Sequence, residues 1–98
     1  MYFNSESTHD QLVRRLAVNL VRNGFSVTAD VEGFPRPPVF GRSRPDIWAR
    51  NSSSALMIEV ETPESLIPDA EQHRSLRWEA SRHQAVFRIH VTDGRVFG

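Results

Sequence analysis

The sequence predicts a small α/β domain, a mixed sheet with helices packed on it and the element order αβββαβ. Two observations carry this: helix-spaced apolar stripes occur twice, and between and after them lie segments with the two-residue period of strands. A third bounds it, because 98 residues without repeats or low-complexity tracts support one modest core and a single domain over residues 1 to 98.

The first helix is expected over residues 9 to 23. Thr8 and Gln11 form a capping-box pattern, Asp10 suits the first turn, and Leu12, Val13, Leu16, Ala17, Leu20 and Val21 make the stripe. Gly24 supplies the stop, and residues 1 to 7, Glu6 included, are expected to form a flexible leader. Residues 25 to 32 alternate Phe25, Val27, Ala29 and Val31 with polar partners and read as a half-buried strand. Residues 33 to 43 carry three prolines and two glycines and read as a loop. Arg36, Arg42 and Arg44 in or beside it are candidates for phosphate contacts, with a solvated irregular loop the plain alternative.

Residues 44 to 61 read as two strands joined by a turn through Asn51 to Ser54. A second helix is expected over residues 68 to 82, with Pro68 at its first position and Asp69 and Glu71 in its first turn. Leu76, Ala80 and Gln72 share one face of it, while Trp78 points away and marks either a partner surface or a ring folded onto its neighbours. Residues 85 to 92 read as the last strand, followed by the turn pair Asp93-Gly94 and a short return over residues 95 to 98. Three sequential strands make an antiparallel meander, and the second helix is long enough for a right-handed crossover that sets the last strand parallel to the third.

Composition limits the chemistry. There is no cysteine, which removes disulfides and thiolate metal sites and fits a reducing compartment. The start has no charged-then-apolar signal pattern and no apolar run reaches membrane-spanning length, so a soluble, intracellular, cytoplasmic protein is expected. Net charge is zero and all twelve basic residues are arginine. That balance argues against a large sequence-independent affinity for nucleic acid but leaves room for a local arginine patch.

The informative residues are acids. Glu59 and Glu61 share a face of the third strand, and pairing with the second brings Asp46 beside them. Three converging carboxylates repel one another unless a cation sits among them, which points to Mg²⁺ or Mn²⁺. The alternative is ordinary: Glu59 and Glu61 as the wet face of an amphipathic strand, with Ile58 and Val60 buried. The unbroken apolar run Leu56, Met57, Ile58 suits a strand covered on both faces. His9, at the start of the core-facing stripe of the first helix, is either a structural helix-end residue or a member of the same group.

Pro45-Asp46 at the second strand and Glu59-Val60-Glu61 closing the third, in this element order, resemble the PD-(D/E)XK nuclease superfamily, which includes archaeal-type Holliday junction resolvases and many restriction endonucleases. The resemblance covers about residues 9 to 92. It implies a restriction-endonuclease-like core, with Asp46 and Glu59 as metal-binding acids and the Val60 carbonyl as a further ligand. It implies hydrolysis of phosphodiester bonds in DNA, supported by Mg²⁺ or Mn²⁺. Glu61 stands where the family usually has a lysine, as in some restriction endonucleases, and takes the role of general base or ligand to a second ion. His9, with Glu6 behind it, stands where many resolvase-like members have a first-helix acid, and Gln72 matches a polar residue beside the site on the second helix. Resolvase-like members work as dimers, so a homodimer with Trp78 at its seam is expected. Two other classes stay open: a nuclease-fold module without catalysis that binds nucleic acid or protein, and a plain α/β interaction domain.

Overall fold

The computed structural model describes residues 6–92. Its elements are α1 (Thr8–Arg22), β1 (Ser26–Ala29), β2 (Ile47–Arg50), β3 (Ala55–Glu61), α2 (Pro63–Leu66), α3 (Ala70–Arg82) and β4 (Val86–Val91). The four strands form one sheet in the order β1-β2-β3-β4, antiparallel from β1 to β3 and parallel between β3 and β4. This is the mixed sheet and parallel crossover expected from the sequence. The turn pair Asp93-Gly94 and the return over 95 to 98 lie outside the described residues.

The sheet is covered on both faces. On one, Ile47, Ala49, Ile58 and Val60 pack with Val13 and Ala17 of α1. On the other, Met57 packs with Leu76 and Ala80 of α3, with Trp48, Phe87 and the loop residue Phe40 around them. Alternation along β3 therefore sends Leu56, Ile58 and Val60 towards α1 and Met57, Glu59 and Glu61 towards α3. A wet face for the two glutamates is thus ruled out: Glu59 is 2% and Glu61 5% exposed.

Local boundaries differ from expectation for identifiable reasons. Ser7, not Thr8, caps α1, its hydroxyl accepting from the Asp10 N–H, and Glu6 pairs with Arg14, so the end of the expected leader is tied to the helix. β1 is short because the chain turns back at Gly33 (φ +98°), letting Ala29 N–H reach the Pro35 carbonyl. The long loop contains a tight turn of its own, in which Phe40 and Ser43 exchange backbone hydrogen bonds of 2.7 and 3.1 Å around Gly41. The expected second helix is α3, beginning at Ala70, and a short helix not expected from the sequence, α2, precedes it. Thr62 and Ser65 form a reciprocal capping box that starts α2, and Pro68 precedes the Asp69 cap of α3 instead of opening the helix.

α1 and α3 end alike. Phe25 N–H reaches the Leu20 carbonyl and Ala85 N–H the Ala80 carbonyl, the six-to-one closure of a left-handed C-terminal cap. Gly24 takes the positive φ after α1, but Gln84 takes it after α3 at φ 56°.

Candidate functional site

The site lies where β2 begins and β3 ends. The register Ile47↔Ile58 places Asp46 opposite Glu59, and the two exchange contacts in place of the next backbone rung. Asp46 N–H donates to Glu59 Oε2 at 2.9 Å, and Val60 N–H donates to Asp46 Oδ2 at 2.8 Å. Both acids are thus fixed by backbone amides. Each helix layer adds a side chain. From α1, His9 Nε2 lies 3.3 Å from Asp46 Oδ2, and its Nδ1 is 2.9 Å from Asp10 Oδ1. From α3, Gln72 Nε2 donates to Glu59 Oε1 at 3.0 Å.

Glu61, two residues further along the same face, is held by α2. Ser65, positioned by the capping box with Thr62, donates its hydroxyl to Glu61 Oε1 at 2.9 Å. His73 Nε2 sits 3.4 Å from Glu61 Oε2, with both side chains 7% exposed. Glu59, Glu61 and His73 each offer a ligand atom, all within 4.8 Å of one another.

The electrostatics follow from this crowding. Burial, reinforced by the Asp46 charge, pushes the Glu59 carboxyl up to about 8. Burial and the neighbouring Asp69 carboxyl raise Glu61 also, opposed by the Ser65 and His73 contacts. The hydrogen bond to Asp46, helped by Asp10 and opposed by desolvation, lifts His9 to about 9, so its ring is an imidazolium at neutral pH. At neutral pH the cluster carries one histidine charge and a proton retained on Glu59. Hard oxygen donors set this close fit a divalent cation, which would displace that proton.

Of the residues picked from the sequence, Asp46, Glu59, Glu61, Gln72 and His9 converge, and Val60 joins them through its amide. Glu6, the alternative helix-one acid, pairs with Arg14. The loop arginines are arranged differently. Arg36 Nε lies 3.8 Å from Asp30, whose N–H bonds the Asp46 carbonyl, so it stands at the same strand end. Arg44 Nε donates to the Pro37 carbonyl at 2.9 Å and braces the loop, while Arg42 is exposed. Ser65 and His73 are not among the residues the sequence points to, and Asp69, expected only as a helix-start acid, also neighbours Glu61. His73 had a signal: it lies three residues before Leu76 and seven before Ala80, on their stripe.

No protein-family model and no curated protein matches the chain. Among solved structures it is similar to Hjc of Archaeoglobus fulgidus, a Holliday junction resolvase from an archaeal hyperthermophile. The TM-score is 0.58 and the identity 27%, covering 88% of this chain and 65% of that one. The chain thus spans slightly less than two thirds of the length of that protein, and what the two share is the mixed α/β nuclease-like fold. Among the described residues, no helix is long and apolar enough to cross a membrane.

Proposed function

We propose that this chain is a metal-dependent DNA endonuclease that hydrolyses phosphodiester bonds in a structure-specific, resolvase-like manner. The observation that carries the reading is the Asp46–Glu59 pair, two carboxyls locked by each other's strand amides at the end of a nuclease-like sheet. The likeness to Hjc supports the substrate class.

Asp46 and Glu59, with the Val60 carbonyl, would hold Mg²⁺ or Mn²⁺, which when bound polarises the scissile phosphate, lowers the pKa of water and stabilises the leaving oxygen. Glu61 takes the place of the usual lysine. Its carboxyl, raised by burial and oriented by Ser65, serves either as general base or as ligand to a second ion. His9 contributes a fixed positive charge beside Asp46, suited to a phosphate oxygen on the α1 side. Gln72 holds Glu59 in place, and Arg36 and Arg42 contact the DNA backbone outside the cluster, with Arg44 shaping their loop. Paired cuts require two sites, hence a homodimer. Trp78, 61% exposed with the Arg82 guanidinium 4.9 Å from its ring centroid, is its seam.

A second reading rests on the absence of lysine from the whole chain: a nuclease-fold module that binds nucleic acid or protein without cutting. Incubation with branched, single-stranded and duplex DNA in Mn²⁺ separates the two. Cleavage of the branched substrate, lost in Glu59→Gln, supports the enzyme, whereas binding without cleavage at any metal concentration supports the module.

A further inference from the structure

His73 Nε2 is the unexplained atom of this site. It is buried and makes no hydrogen bond, and among the described residues no other buried side-chain nitrogen or oxygen is left so. Leaving a buried polar atom unsatisfied costs about 1–3 kcal/mol, so such atoms usually have a use. A phenylalanine would have filled the space between α3 and the Phe87 ring, whose centroid lies 6.5 Å from that of the imidazole, without that cost. The nitrogen is aimed instead at the Glu61 carboxyl. Glu61 Oε2 is 3.4 Å away, and a Glu59 oxygen completes a group spanning no more than 4.8 Å. Opposite donors on a first-row divalent ion stand about 4.2 Å apart, so a small closing movement would bring all three atoms onto one cation.

We propose that Glu59, Glu61 and His73 form a second cation position with one nitrogen donor, adjoining the Asp46–Glu59 position and sharing Glu59 with it. The inference deepens the nuclease reading and rests on it for the role of the first position. Its consequence is selectivity. Imidazole suits first-row transition ions, whereas Mg²⁺ prefers oxygen donors and keeps its waters. The second position therefore favours a first-row transition ion over Mg²⁺, with Mn²⁺ the member of that row its carboxylates also suit, and at Glu61 a ligand stands where the usual lysine would have put a competing positive charge.

Mn²⁺ alone is the probe, followed by titration and by pulsed electron paramagnetic resonance, which detects directly bound ¹⁴N. The expected result is nitrogen coupling in the wild-type chain, lost in His73→Gln together with about tenfold of Mn²⁺ affinity, while Mg²⁺ affinity changes less than about twofold. His9→Gln should keep the coupling. Circular dichroism of the metal-free variants checks the fold. If His73→Gln does not fold, ¹⁵N-histidine labelling of a chain carrying His9→Gln, His83→Gln and His90→Gln replaces it, and the coupling must change to the ¹⁵N pattern. Absence of coupling in the wild type, its survival in His73→Gln or its loss in His9→Gln would overturn the proposal. Mn²⁺-dependent DNA cleavage without nitrogen coupling would sink this inference and spare the nuclease. Nitrogen coupling without cleavage would do the reverse, and no binding of Mn²⁺ would remove both.

Discussion

Glu59→Gln should make the metal-free protein more stable at neutral pH and slightly less stable in acid. In the folded chain the Glu59 carboxyl rises from 4.5 to about 8. A raised carboxyl costs nothing while protonated in both states. The penalty begins above pH 4.5, where the unfolded chain ionises and the folded one does not, and grows until about pH 8. At pH 7 the gap is 7 − 4.5 = 2.5 pH units, and at about 1.4 kcal/mol per unit the penalty is about 3 kcal/mol. Glutamine removes it but can no longer accept from both the Asp46 N–H and Gln72, a loss of about 1 kcal/mol. The net gain is about 2 kcal/mol at pH 7, or roughly 8–16 °C in Tm for a domain of this size. At pH 4 only the lost hydrogen bond remains, so the sign reverses. Thermal melts in chelator at pH 4, 5.5, 7 and 8 read this directly. An equal Tm shift at pH 4 and pH 7 would refute the claim that crowded burial holds the proton on this side chain.

Mn²⁺ should raise the wild-type Tm, and the rise should grow from pH 5.5 to pH 8 as the competing proton leaves Glu59; a rise in Asp46→Asn as large as in the wild type would argue against the first metal position. His9, lifted from 6.5 to about 9, contributes stability that is complete below pH 6.5 and lost as pH rises through about 9. His9→Gln should therefore flatten the decline over that window, and urea titrations at pH 6 and pH 9.5 measure it. Gln84→Gly relieves the left-handed residue after α3 and should add about 1 kcal/mol, or 4–8 °C in Tm, with cleavage unchanged. Gel filtration should show a dimer that Trp78→Ala shifts to monomer; an unchanged elution volume would move the seam elsewhere.

The fold was legible because its signals are periodic. The α1 stripe and the apolar run of β3 contain the residues that fill the core, and the alternation in β1 and β4 marks them as strands. Asp46, Glu59 and Glu61 were legible for the same reason, since a one-residue period error would have sent them to the α1 face. What stayed hidden depends on contacts between elements. The Thr62–Ser65 box is a local signal that starts an extra short helix, α2, ahead of the expected one. His73 shares the sheet-facing stripe of α3 with Leu76 and Ala80 wherever the helix begins. A histidine on an apolar stripe looks like filler until the orphaned nitrogen shows where it points. The loop arginines are candidates by charge and by the length of their loop, and neither reveals that the Arg44 Nε is turned back onto the Pro37 carbonyl.

The Asp46 carboxylate, by receiving the Val60 amide, does the work of a missing peptide carbonyl at the mouth of the β2–β3 ladder. Alanine at this position would therefore fray two strands while removing a ligand, and an inactive alanine mutant would say little about chemistry. Asparagine keeps an oxygen for that amide and withdraws only the negative charge, which makes it the informative replacement.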